Sequence, residues 1–223
     1  MFYVGADACK AGWFTVMLTE GTDWSVDVFP NISSLWNRYK DARLILLDVP
    51  IGLREGESNE RSCDKEAREL LGRQRRSSVF VAPSRLAIQA DTYETVNEIN
   101  ARNTGRKLSK QTWGITPKIR EVDKFLSTDL LARSRIRETH PEVCFSALAG
   151  HKPMKYSKKK TAGFLERMGV LRRVYPYTKD LVDQALRRYP RSKVARDDIL
   201  DALVAAVTAV SYTHLTLPTT PYV

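Results

Sequence analysis

The sequence predicts an α/β fold: a mixed sheet of three antiparallel strands followed by parallel strands, flanked by helices and carrying a helical insertion. Three observations predict it. The N-terminal part holds three short apolar segments separated by turns too short for helical crossovers. A continuous apolar run, Leu44-Ile45-Leu46-Leu47, follows one amphipathic segment, as suits a strand buried on both faces. Beyond it the pattern is mostly helical, with no internal repeat and no low-complexity linker, so the middle reads as an insertion.

Taken in order, Phe2 to Ala8 is the first strand, Trp13 to Thr19 the second and Trp24 to Phe29 the third, with Gly12 and Gly21 marking turns. After Pro30-Asn31, Ile32, Leu35, Trp36 and Tyr39 recur at i, i+3, i+4 and i+7, the spacing of an amphipathic helix. The apolar run from Leu44 to Leu47 ends at Asp48 and is closed by Pro50 and Gly52. Arg61 to Leu71 has a helical charge pattern and stops at Gly72, and Ser77 to Pro83 reads as loop or extended chain. A helix from Thr92 to Arg102 ends before Gly105. Thr116-Pro117 is expected to start the next one, with Thr as N-cap and Pro at the first position, and Ile119, Val122 and Leu126 as its apolar face. Arg135 to His140 reads as a further strand halted by Pro141. Thr161 to Met168, Thr178 to Tyr189 and Asp198 to Val210 read as helices, the last of them the strongest. Strand, strand, strand, helix, strand is the opening order of the ribonuclease H-like fold.

The length, 223 residues, suits one domain with a sizeable core, expected over residues 1–210. Hydrophobic residues make up 43% and charged residues 28%, which excludes a disordered chain. No apolar run reaches the roughly 18–20 residues a membrane span needs, and Met1-Phe2-Tyr3-Val4-Gly5 lacks the basic start of a signal peptide. Three cysteines, Cys9, Cys63 and Cys144, are odd in number and lack metal-ligand spacing, so a cytoplasmic protein without disulfides is expected. The formal charge of +10, from 36 basic and 26 acidic residues, favours polyanionic partners, nucleic acid first among them. The alternative is an ordinary basic surface. Basic residues cluster at Arg73, Arg75 and Arg76, at Arg133, Arg135 and Arg137, and at Lys155, Lys158, Lys159 and Lys160 around Tyr156, where they could track a phosphate backbone. The stretch from Val210 through Ser211-Tyr212-Thr213-His214-Leu215-Thr216-Leu217-Pro218-Thr219 is similar to a translated sequencing-library adapter. Residues 211–223 are therefore expected to be an adapter-derived tail, the natural chain is expected to continue differently, and His214 is not offered as a ligand.

The chemistry lies in the acids. Asp7 ends the first strand and Asp48 the fourth, and parallel neighbours ending in aspartate place both carboxylates at one edge of the sheet, where ligands bind in such folds. Each could instead cap the following turn. In Asp198-Ile199-Leu200-Asp201 two acids at i and i+3 share a face of an otherwise apolar helix. Asp197 and Asp198 also suit the dipole at that helix's start, whereas Asp201 lies deeper. Glu138 is a further candidate, and on a strand it shares a face with His140, a possible proton carrier or structural residue. Acids gathered at one point repel unless a cation neutralises them, and oxygen-only ligands suit Mg²⁺ or Mn²⁺. Two such ions about 3.5–4 Å apart would activate water and stabilise the leaving oxygen in phosphodiester hydrolysis. The expected catalytic set is thus Asp7, Asp48, Glu138, Asp198 and Asp201, with Asp7, Asp48, Asp198 and Asp201 as metal ligands.

The chain resembles domain-of-unknown-function family 429, whose members are predicted to be ribonuclease H-like nucleases. The resemblance is carried by Val4-Gly5-Ala6-Asp7-Ala8-Cys9-Lys10-Ala11-Gly12-Trp13, by Leu47-Asp48-Val49-Pro50-Ile51-Gly52-Leu53 and by Arg61-Ser62-Cys63-Asp64-Lys65-Glu66-Ala67-Arg68. Ser78-Val79-Phe80, Glu138-Thr139-His140-Pro141-Glu142-Val143 and Asp198 to Ala206 complete it. Ala8 stands where the family favours a second glycine after the aspartate. The last helix is also similar to that of Holliday-junction resolvases, where a similar acid pair binds metal. The resemblance implies a metal-dependent nuclease. Two other readings stay open: a nucleic-acid or nucleotide-binding module without hydrolysis, and an actin-like phosphotransferase, which normally needs two such domains. Among the remaining motif residues, Cys63, Asp64 and Arg68 share one helix, where Asp64 and Arg68 at i, i+4 are expected to form a surface ion pair rather than to act in catalysis, and Lys118, Glu121 and Asp123, preceded by Gln111 and Trp113, could line a cleft over the acids.

Overall fold

A computed structural model describes residues 1–56 and 60–214, so only residues 211–214 of the expected tail fall within it. Three strands open the chain: β1 (Phe2–Cys9), β2 (Gly12–Thr19) and β3 (Trp24–Phe29). Helix α1 (Ile32–Tyr39) starts where Asn31 accepts the Ser34 amide at 2.8 Å, and it leads into β4 (Leu44–Leu47). After the insertion, β5 (Ile136–Glu138) completes a sheet ordered β3-β2-β1-β4-β5. The first three strands pair antiparallel, while β1 with β4 and β4 with β5 are parallel. This is the ribonuclease H-like arrangement that the strand order predicted.

The period of two along each strand sorts the sheet into two faces. Val4, Ala6, Ile45 and Leu47 pack with Ile32, Leu35 and Tyr39 of α1 and with Ile119, Val122 and Leu126 of α4 (Lys110–Thr128). Phe14, Val16 and Val26 face the other way, onto α6 (Pro141–Leu148), α7 (Thr161–Val174), α8 (Thr178–Arg188) and α9 (Arg196–His214). Tyr3, Leu44 and Leu46 share that second face and meet Ala205 and Ala209 of α9. Each fully buried aliphatic side chain in these layers contributes roughly 1.5–3 kcal/mol.

Helix α9 lies across β1, β2 and β4, and Gly5 sets how closely. A Cβ on Gly5 would stand 2.2 Å from both the Ala202 carbonyl and the Ala206 amide. Alanines at 202, 205, 206 and 209 keep the helix surface flat against the strand, and all four are fully buried.

The insertion departs from the sequence reading in several places. The helix expected to begin at Thr116-Pro117 instead begins at Lys110, capped by Ser109, whose hydroxyl accepts the Thr112 amide at 3.0 Å. Pro117 therefore sits inside α4. It removes one intrahelical donor, and the capped turns before it together with the buried face after it keep the helix continuous. Of the strand expected over Arg135 to His140 only Ile136–Glu138 forms, and Pro141 is the first residue of α6, the position where proline's missing N–H is no loss. Neither α6 nor α5 (Leu130–Arg135), which Asp129 caps, was expected. Gly72 interrupts α2 (Ser62–Arg75) with φ 57°, and the helix resumes beyond it. In α3 (Tyr93–Thr104), Thr92 caps the start and Gly105, at φ 72°, ends it. All three cysteines are free, and among the described residues no helix is long and apolar enough to cross a membrane.

Gly5→Ala forces the backbones of β1 and α9 apart, because neither contacting atom belongs to a flexible side chain. It is expected to cost about 3 kcal/mol or more, measured by urea denaturation. A loss under about 1 kcal/mol would show that the helix is not seated there.

Candidate metal centre

The packing of α9 on β1 brings three carboxylates together. Asp7 lies two residues beyond Gly5 on the same strand face, and Asp201 precedes the alanine whose carbonyl meets Gly5. Asp48 follows β4, and its amide extends the ladder by bonding the Ala6 carbonyl at 3.1 Å, which keeps it beside Asp7. One oxygen from each of Asp7, Asp48 and Asp201 lies within 4.8 Å of the others. Asp7 is 7% exposed and Asp201 1%, and the Asp7 carboxylate accepts no hydrogen bond among the described residues.

Buried acids this close disfavour ionisation. Burial, then the charges of Asp48 and Asp201, raise the Asp7 carboxyl well above the usual range. Asp48 is pushed up to about 6, first by burial, with His140 pulling the other way. Burial raises Asp201 too, opposed by Lys158. The Lys158 ammonium bonds Asp201 Oδ2 and stands 3.9 Å from Asp197 Oδ2; burial pulls its pKa down, and the charges of Asp201, Asp7 and Asp48 hold it above the ordinary lysine value.

The other expected site residues fall around this triad. Asp198 reaches back to accept the Ala195 amide at 2.8 Å, so one of its oxygens caps α9. Burial lifts it to about 6, partly offset by that N–H. Glu138 pairs with Leu47 in the ladder and so points to the sheet face opposite Asp7. There it receives Arg61 Nη1 at 2.8 Å and Nη2 at 2.7 Å, together with the Ile51 amide at 2.8 Å. Arg61, 8% exposed, also holds Asp64 through Nε and Nη2 and donates to the Ile51 carbonyl at 2.9 Å. The group Cys63, Asp64 and Glu138 is close enough to hold an ion, but a guanidinium already answers two of its acids. Arg61 and Glu138 thus clamp the loop that leaves Asp48. His140 Nε2 contacts the Ser78 carbonyl at 3.2 Å, and its Nδ1 is buried without a partner among the described residues.

One expected arrangement is corrected. Asp64 pairs with Arg61 rather than Arg68, because Arg68 turns to Glu60 and to the carbonyls of Val79 and Phe80. Glu121 accepts from the Trp13 indole, the Ile32 amide and Lys118, and Asp123 accepts from Arg85. Lys158 and Arg61 were missed as site residues. Lys158 stands in a lysine-rich stretch whose residues all suit a phosphate backbone, and nothing local in the sequence distinguishes it.

A family model described as protein of unknown function (DUF429) matches residues 5–221, which runs into the stretch set apart above as a tail. No curated protein and no solved structure matches the chain.

The raised acids give the metal-free protein a characteristic pH response. A carboxyl whose folded pKa is above its unfolded value binds its proton more tightly in the folded state. Its stabilising contribution is therefore full below the unfolded pKa and lost as pH rises through about 6, the value for Asp48 and Asp198. Thermal melts in chelator should show stability rising as pH falls from about 7 to about 5. A fall over that interval would mean the acids are not gathered and buried as described.

Proposed function

The chain belongs to the DUF429 family, and we propose that it is a divalent-metal-dependent nuclease that hydrolyses phosphodiester bonds through the Asp7, Asp48 and Asp201 carboxylates. One observation carries this reading: three acids, from β1, from the loop after β4 and from α9, converge within 4.8 Å, and the buried Asp7 carboxylate on the central strand accepts no hydrogen bond among the described residues. Leaving a carboxylate so placed costs several kcal/mol unless a cation answers it.

The donor set fits the ion. All three ligands are hard carboxylate oxygens with no histidine or thiolate among them, as Mg²⁺ and Mn²⁺ prefer. An ion held there would supply Lewis acidity to a phosphoryl oxygen and lower the pKa of a water.

The chain's own residues account for the rest. Asp7 and Asp201 are fixed by the seat of α9 on β1, and Asp48 by the Arg61–Glu138 clamp on the loop after it. Asp198 keeps the first turn of α9 formed and so holds Asp201 in place. Lys155, Lys159 and Lys160 are exposed on the same loop that sends Lys158 to the acids. They bring positive charge to the rim, where a nucleic-acid backbone would need it. An acid cluster set in a chain of net charge +10 suits a polyanionic substrate that must be brought to negative residues.

The test is cleavage of labelled RNA, DNA and branched DNA by the protein in Mn²⁺ or Mg²⁺, beside Asp7→Asn and Asp201→Asn. Each substitution keeps the shape and removes a ligand charge, and each should cut the rate at least about 100-fold. Undiminished cleavage by both variants would overturn the proposed mechanism.

A further inference from the structure

Lys158 is delivered to the acids by a loop that the fold holds from several sides. Glu166 accepts the amides of Lys155 at 2.8 Å and Tyr156 at 2.9 Å. Arg167, 0% exposed and paired with Glu142, donates to the Tyr156 carbonyl at 3.1 Å. At Gly163 the α7 backbone lets the loop through: a Cβ there would lie 2.0 Å from the Ser157 carbonyl. A surface lysine straying onto an acid needs none of this. The neighbouring Lys159 and Lys160 are exposed, while the Lys158 side chain is 35% exposed and ends on Asp201 Oδ2.

Charge then limits what else the site takes. Three ionised ligands, Asp7, Asp48 and Asp201, carry three negative charges, and the Lys158 ammonium answers one of them. Two remain, which one divalent ion neutralises. Asp197 and Asp198 lie in the first turn of α9, where the helix dipole stabilises both, Asp198 accepts the Ala195 amide and Asp197 stands 3.9 Å from Lys158. A second divalent ion would have to stand about 3.5–4 Å from the first among the same carboxylates. Lys158 already occupies Asp201 Oδ2, one of the carboxylate oxygens such an ion would compete for.

We propose that Lys158 is a built-in cation that fills one of the two cation positions of the carboxylate centre, so that the site takes a single divalent ion. This rests on the metal-binding reading above and revises the pair of ions that the acids alone suggested. In that place Lys158 is a positioning residue: it holds Asp201 and balances charge while the Asp7 carboxylate stays open for the ion.

Calorimetric titration of the whole chain with Mn²⁺ at neutral pH tests it, with Lys158→Met titrated alongside. The unaltered chain should bind one ion. Lys158→Met, confirmed folded by circular dichroism, should bind a second ion or bind the first at least tenfold more tightly. Two ions on the unaltered chain, or one ion bound with the same affinity by both forms, would overturn the role given to Lys158 while leaving the metal centre standing. Binding by Lys158→Met alone would also overturn it, because the lysine would then replace the metal altogether. If neither form binds, the metal centre itself falls and this inference falls with it. Should Lys158→Met not fold, the stoichiometry of the unaltered chain decides between one ion and two.

Discussion

The contact between Gly5 and the backbone of α9 is the constraint on which the rest depends. A helix normally stands off a sheet by the length of the side chains between them. Here a strand residue with no side chain meets a helix face of alanines, and the two backbones touch. Two residues along β1 and one residue back along α9 from that contact are Asp7 and Asp201. The separation of those acids is therefore set by main-chain packing rather than by flexible side chains. Asp48 joins them because β4 lies next to β1 in parallel, so both strands deliver their acids to the same end of the sheet.

The stability of such a centre is a balance of opposing electrostatic terms. Burial, and after it the charges of neighbouring acids, push all three carboxyls upward, and the fold answers with two cations placed differently. Lys158 enters the cluster itself. Arg61 stays outside, satisfying Glu138 and Asp64 and tying both to the loop behind Asp48. Removing one partner of a buried charge pair typically costs about 3–5 kcal/mol because the other is left unpaired. All five of Arg61's N–H donors are used, whereas the Asp7 carboxylate accepts no hydrogen bond among the described residues. That asymmetry separates the acids that build the site from the acid left open to a ligand.

Much of this was legible in the sequence, for identifiable reasons. The first four strands and α1 follow from short-range periodicity, and their bounds fall within a residue or so of those expected. Asp7, Asp48 and Asp201 could be named because an aspartate at a strand end or inside an apolar helix face conflicts with its surroundings. The roles of Glu138 and Asp198 were harder to see. Glu138 turns on which face of β5 it occupies, and that depends on its register against Leu47. Asp198 sits at i−3 from Asp201 and shares its face, yet proximity to the helix start gives it an amide to accept. Lys158 was illegible because Asp201 is 43 residues away, and Arg61 because Glu138, which ties it to the site, is 77 residues away. Pro117 and Pro141 show how far local punctuation carries. The same residue sits inside one helix and starts another, and only the caps around it decide.

The central claim is that Asp7, Asp48 and Asp201 together hold a divalent ion. Crystals of the protein soaked in Mn²⁺ and measured at the manganese edge test it most directly. The account predicts one anomalous peak about 2.1 Å from an oxygen of each of these three carboxylates, with Lys158 still on Asp201. A peak among Cys63, Asp64 and Glu138 instead, or no peak at the three aspartates in saturating Mn²⁺, would contradict it.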